Sequence, residues 1–151
     1  MDLEYARIKE ITHTDAATGK KYKGIRIIRH RNYEDLLSED EETIDLWMSK
    51  FKTYCIMSQF GLFYENVRVL GQGNFAKVFL VKRKSDGKEF AAKVFDKKAI
   101  LREPLEKKCL IYEISMLRSL QHKNVMRMFE LYEGQNYVYC LLEPYYGGNS
   151  I

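Results

Sequence analysis

The stretch Gly71-Gln72-Gly73-Asn74-Phe75-Ala76 restricts what this chain can fold into more than any other. It fits the spacing G-x-G-x-x-G/A, in which glycines let backbone N–H groups approach phosphate oxygens with no Cβ in the way. The residues just beyond the loop select its architecture. A dinucleotide-binding turn opens a helix, whereas here Lys77-Val78-Phe79-Leu80-Val81 is β-branched and aromatic. Further on, Ser85-Asp86-Gly87-Lys88 carries the Asp-Gly hairpin signal. The phosphate-loop pattern G-x-x-x-x-G-K-[ST] does not occur. The loop therefore joins two antiparallel strands and would close over a nucleotide as a flap. An ordinary β-turn without a ligand is the plain alternative.

Around the loop the chain reads as two blocks with a seam near Gln59–Tyr64. In the second block, strands are expected at Val67–Leu70, Val78–Val81, Glu89–Phe95, Val125–Tyr132 and Tyr137–Leu142, with a turn at Gly134-Gln135-Asn136. One helix, Leu105–Leu120, is expected to place Cys109, Tyr112, Met116, Leu117 and Leu120 on one face. In the first block, Tyr5–Ile11, Gly24–Arg29 and Tyr33–Leu37 read as strands and Asp15–Gly19 as a polar turn. Ser38 with Glu41 three residues on predicts a capping box, and Asp40, Glu41 and Glu42 suit the positive end of a helix dipole. Ile44, Trp47, Phe51, Tyr54 and Cys55 then recur at helical spacing as an apolar face.

Composition sets the outer limits. The chain has 151 residues and a net charge of +4, which suits an anionic ligand without arguing for nucleic acid. No apolar run is long enough to cross a bilayer, and the start Met-Asp-Leu-Glu-Tyr is not a secretory signal. Cys55, Cys109 and Cys140 are widely spaced in apolar settings and read as reduced, buried thiols, which predicts a cytoplasmic protein. His13, His30 and His122 have no Cys or His at ligand spacing, so no metal site is expected.

From Tyr64 onward the sequence resembles the protein kinase family. Leu70 through Val78 matches its G-x-G-x-x-G-x-V loop, with Ala76 in place of the third glycine, and Phe90-Ala91-Ala92-Lys93 matches its V-A-I-K strand. The resemblance implies that Lys93 contacts the α- and β-phosphates of ATP and pairs with a carboxylate on the next helix. Glu113 is the candidate, because it adjoins the apolar stripe of that helix. The plain alternative is that Lys93 and Glu113 are surface charges. Gln121-His122-Lys123-Asn124-Val125 is similar to the family's link between helix and fourth strand, and Glu143-Pro144-Tyr145-Tyr146-Gly147-Gly148 to its hinge. By that likeness the nucleotide site comprises Leu70, Gly71, Gln72, Gly73, Asn74, Phe75, Ala76, Lys77 and Val78 of the loop, then Ala91, Lys93, Leu142, Glu143 and Tyr145. Leu142 would stand at the back of the adenine pocket, main-chain groups of Glu143 and Tyr145 would bond the adenine edge, and Leu117 and Met128 would link helix to sheet.

The implied fold is α+β: residues 64–151 as a kinase N-lobe, a five-stranded antiparallel sheet plus one helix. Residues 59–63 are expected to be a linker. Residues 1–58 resemble the C-terminal half of a pleckstrin-homology domain, a partial module of strands and a C-terminal helix in which Trp47 would close the barrel mouth. Its basic run of Lys20, Lys21, Lys23, Arg26, Arg29 and Arg31 reads either as a phosphoinositide or membrane surface or as a solvated strand edge. The former would bring the protein to membranes. The block also reads as a regulatory extension of the kinase lobe.

Phosphoryl transfer further needs an Asp at the substrate hydroxyl and an Asn and Asp on Mg²⁺, from H-R-D-x-x-x-x-N and D-F-G motifs. Neither string occurs in these 151 residues. The expectation is a fragment or incomplete gene model of a protein kinase, inactive by itself, whose full-length form uses ATP and Mg²⁺ on a protein substrate. Ala92-Lys93-Val94-Phe95-Asp96-Lys97-Lys98 is similar to the calmodulin-dependent and cyclic-nucleotide-dependent groups, which implies Ser/Thr specificity. The alternative is a non-catalytic regulatory or scaffold protein on a kinase-like lobe.

Overall fold

A computed structural model describes residues 6–120, 122 and 126–144. The chain divides into two compact units, Met1–Ser58 and Gln59–Ile151.

In the first unit, alternating sequence makes an antiparallel meander of β1 (Arg7–Thr14), β2 (Lys21–Arg29) and β3 (Asn32–Ser38). The polar turn between β1 and β2 is tied by Asp15, whose carboxylate accepts from the N–H groups of Ala17 at 2.8 Å and Thr18 at 2.9 Å. Those bonds hold the Asp15 carboxyl below the usual carboxylate range. Helix α1 spans Glu41–Tyr54, and β4 (Ile56–Met57) returns to pair in parallel with β1.

Two details of α1 differ from the sequence-based expectation. The N-cap is Asp40, not Ser38. β3 runs through Ser38, so that residue is still extended, and the Asp40 carboxylate reaches Glu42 N–H at 3.1 Å and the Thr43 hydroxyl at 2.5 Å. The buried positions are Ile44 and Met48, four apart and one turn in register. Trp47 is 49% exposed and Tyr54 73%, so they belong to a neighbouring stripe, where Trp47 stacks on Phe51 at 5.7 Å.

In the second unit the expected linker is instead a helical turn, α2 (Phe60–Phe63). It leads into β5 (Tyr64–Gln72), β6 (Ala76–Arg83) and β7 (Glu89–Asp96), an antiparallel run. The β6–β7 turn holds Gly87 at φ +72°, and Arg83 clasps Asp86 through two side-chain bonds, which keep the Asp86 carboxyl at about 2. Two helices come next, α3 (Lys97–Arg102) and α4 (Pro104–Ser119), where one was expected. Asp96 caps α3 by accepting from Lys98 and Ala99 N–H groups, and Pro104 forces the break between the two helices. Strands β8 (Met128–Glu133) and β9 (Tyr137–Leu142) complete the unit's sheet, in the order β8-β9-β7-β6-β5.

The inward face of α4 also differs from expectation. Leu110 and Ile114 are buried, whereas Cys109 and Leu120 are exposed, Tyr112 is 71% exposed and Met116 56%. Of the stripe read from the sequence only Leu117 is half-buried, three residues beyond Ile114 on the inward side, while Leu110 and Ile114 form the buried i, i+4 pair.

One side of the sheet is an aromatic cluster. Phe60 stacks on Tyr139 at 4.3 Å and on Tyr64 at 5.0 Å, and meets Tyr132 edge-on at 5.2 Å. Tyr64 and Tyr132 are buried, and both hydroxyls donate to Glu130 Oε2, at 2.9 and 2.7 Å. Burial, with the Glu130 carboxylate beside them, pushes both phenols above their usual range.

Candidate functional site

The glycine loop is a tight hairpin. Gly71 stands opposite Val78 and Gln72 opposite Lys77, with an irregularity in register between Val69 and Gly71. Gly73 N–H donates to Ala76 O at 2.8 Å, which leaves Asn74 and Phe75 as the tip. Gln72, Gly73, Asn74, Phe75 and Lys77 are exposed, Leu70 is 40% exposed, and Gly71, Ala76 and Val78 are half-buried.

Nothing among the described residues requires glycine at the two loop positions. A Cβ on Gly71 would meet no atom within 4 Å, and one on Gly73 only Ala76 O at 3.6 Å, an ordinary contact. Neither has positive φ; among the described residues only Gly19 and Gly87 do so as glycines. The space the missing side chains leave is open to a ligand that approaches the backbone closely.

The register of the sheet places the remaining residues. Val78, Lys93 and Cys140 lie in one cross-strand row, and Leu80, Ala91 and Leu142 in the next. Partners in such a row share a face, so Val78, Ala91, Lys93 and Leu142 look to the same side of the sheet. Ala91 and Leu142 are buried there. Lys93 Nζ meets Glu113 Oε1 at 2.5 Å, with the Lys93 and Glu113 side chains 30% and 38% exposed. Glu113 reaches this face because it lies three residues after Leu110 and one before Ile114, on the turn of α4 that packs inward. The structure thus brings together Lys93 and Glu113 and aligns Lys93 with Val78.

Other predicted site residues fare differently. Glu143 is exposed, and its N–H donates to Arg127 O at 2.9 Å. Tyr145 lies outside the described residues, as do Gly147, Gly148 and most of the 121–125 link. A cavity of about 340 Å³ touches residues 72–77, but its other walls include Phe79, Val94 and Tyr139, whose register assigns them to the face opposite Lys93. In the first unit, half of the basic run is paired: Lys20 with Glu39 at 2.6 Å, Lys23 with Asp45 at 2.6 Å, and Arg26 with both oxygens of Asp35.

One neighbour of Lys93 is not anticipated by the sequence motifs. The ring of Phe95 lies 5.2 Å from Lys93 Nζ. The signal for it is the two-residue period of β7, which puts residues 93 and 95 on one face.

The cysteines are not uniformly buried as expected: Cys109 is exposed on α4, Cys55 is intermediate, and Cys140 alone is buried. Burial pushes the Cys140 thiol up to about 12. Since the thiolate is the reacting form, iodoacetamide at pH 8 is expected to modify Cys109 in the native protein more than about tenfold faster than Cys140. Peptide mass spectrometry before and after denaturation measures this, and equal native rates would contradict the burial of Cys140.

Comparison with known proteins bears on the second unit. Residues 64–150 match the family described as Protein kinase domain. Calcium-dependent protein kinase 4 of Plasmodium berghei (strain Anka) is 39% identical over 85 residues, which cover 56% of this chain and 16% of that protein. Calcium/calmodulin-dependent protein kinase type 1 of Caenorhabditis elegans is 42% identical over 88 residues, 56% of this chain and 24% of that protein. CBL-interacting serine/threonine-protein kinase 19 of Arabidopsis thaliana is 38% identical over 85 residues, 56% of this chain and 17% of that protein. The chain therefore spans less than a quarter of the length of each of these relatives.

Proposed function

Because the chain belongs to the protein kinase domain family, we propose that its second unit holds ATP between the glycine loop and the Lys93 face. The observation that carries this reading is the pair of idle glycines. Gly71 and Gly73 leave room that the described residues do not use, and Gly71 stands at the end of the row that carries Lys93. Backbone N–H groups of the loop would face phosphate oxygens, and the Lys93 ammonium, oriented by Glu113, would add the charge-assisted bond. Val78, Ala91 and Leu142 supply an apolar surface for the adenine. With its N–H bound to Arg127 O, Glu143 would contribute its carbonyl as acceptor for the adenine amino group.

The full protein is proposed to transfer the γ-phosphate to serine or threonine hydroxyls of proteins. What supports that specificity is the relatives, one of which is named a serine/threonine-protein kinase. Mg²⁺ would sit on the family's Asn and Asp, and neither H-R-D nor D-F-G occurs in these 151 residues. The residues present fit the nucleotide and not the metal, so no transfer step is assigned to them. For the first unit no lipid ligand is proposed, because Lys20, Lys23 and Arg26 are engaged with Glu39, Asp45 and Asp35.

A calorimetric titration of the 151-residue polypeptide tests both halves. ATP and ADP are expected to bind with Kd on the order of 10–1,000 μM, without ADP formation when Mg²⁺ is added. Failure to bind at millimolar ATP would remove the nucleotide reading and favour a scaffold on a kinase-like lobe. Sustained ADP production by the pure polypeptide would overturn the assignment of catalysis to other residues.

A further inference from the structure

Lys93 is held from two directions, and only one of them depends on α4. Glu113 is contributed by the helix, and the pair it makes is about one-third exposed on each side, where water and salt weaken it. Phe95 is contributed by β7 itself. Phe95 is 6% exposed and stands in register between Ala76 of β6 and Val138 of β9, so the sheet fixes its position. The Lys93 ammonium stands 5.2 Å from the ring centroid, inside the range of about 6 Å over which a cation is drawn to the negative face of an aromatic ring.

We propose that Phe95 is a positioning residue for Lys93, a strand-borne restraint that keeps the ammonium in the Val78–Lys93–Cys140 row whether or not Glu113 is engaged. A lysine released by its carboxylate regains the rotamers of a four-carbon stem. The ring limits that release, because leaving it exchanges a favourable contact for water. An isoleucine or leucine at position 95 would fill the same part of the core and lack the quadrupole. Withdrawal of Glu113 therefore loosens Lys93 without dispersing it, and the loss of the ring is felt most when Glu113 is absent. The placement of the side chain stands independently of the ligand, while its effect on nucleotide affinity rests on the nucleotide site proposed above.

Proton NMR of the lysine-labelled chain reads the placement directly. The Lys93 ε-methylene protons are expected to be displaced upfield by the Phe95 ring current in the wild type and in Glu113→Gln, and to lose the displacement in Phe95→Leu. If Glu113→Gln returns them to the Phe95→Leu position, the helix alone holds the lysine and the proposal fails. A second arm replaces Phe95 by 4-fluoro-, 3,5-difluoro- and 3,4,5-trifluorophenylalanine, which drain the ring face with little change of shape. ATP affinity by calorimetry is expected to fall stepwise, about threefold for the trifluoro ring, with a steeper series in the Glu113→Gln background. A flat series in both backgrounds means that Phe95 only packs and overturns the proposal. Should the wild type not bind ATP at all, the proposed function fails while the ring-current comparison still decides the role of Phe95.

Discussion

Lys93→Met is expected to lower ATP affinity by about 10- to 100-fold while moving the melting temperature of the ligand-free protein by no more than about 2 °C. The asymmetry reflects where the lysine's interactions lie. Its ion pair with Glu113 is partly exposed on both sides, and exposed pairs contribute only about 0–1 kcal/mol to folding. Methionine keeps an unbranched stem of similar length against the sheet. A bound phosphate, by contrast, would lose a bond to a charged donor, worth about 1.5–3 kcal/mol. Calorimetry gives the affinity, and a thermal melt with and without ATP gives the linkage. Retention of wild-type affinity to within about twofold would show that Lys93 does not touch the nucleotide.

Phe60→Ala is expected to destabilise the second unit by about 3 kcal/mol, in the range found for large-to-small aromatic replacements in packed sites. Phe60 is 8% exposed and lies within 4.3–5.2 Å of the rings of Tyr139, Tyr64 and Tyr132. Truncation removes ring–ring contacts and opens the side of the cluster that covers the buried Tyr64–Glu130–Tyr132 bonds. Phe60→Leu refills most of the volume and should cost roughly a third as much. Urea unfolding of the three proteins measures the difference. A change below about 0.5 kcal/mol for the alanine variant would mean that α2 is only surface decoration of the sheet.

The strands are the most legible part of the molecule. Tyr137–Leu142 has the bounds its β-branched and aromatic content indicates, and the Asp86-Gly87 turn is a hairpin. Helix faces are less so. In α4 the residues Cys109, Tyr112 and Met116 are apolar enough to suggest a buried stripe, yet Leu110 and Ile114 take the inner positions. Periodicity identifies a stripe but not which of two adjacent stripes finds the sheet. Glu113 is indicated by the sequence for a reason the structure does not share, since the stripe of Cys109, Tyr112 and Met116 faces out. It meets Lys93 because Leu110 and Ile114 turn that side of the helix inward. The cap at Asp40 rather than Ser38 has a similar origin: both residues are good caps, and the length of β3 decides between them. The neighbours of Phe60 and Phe95 are not legible in the sequence, because a single phenylalanine in an apolar run carries no mark of which ring or ammonium it will meet.

The open space over Gly71 and Gly73 separates two pressures that usually act together. A Cβ added there meets no atom of the described residues closer than 3.6 Å, so the folding equilibrium scarcely registers an alanine. A library of loop variants sorted for expression or heat resistance would pass alanine at both positions. If the loop holds a phosphate as proposed, the same library sorted for occupancy by a phosphate-bearing ligand would reject it. On the proposed nucleotide reading, fitness at these two positions is conditional on the ligand being present, and a survey of this chain by stability alone would score as neutral the residues on which the proposed recognition depends.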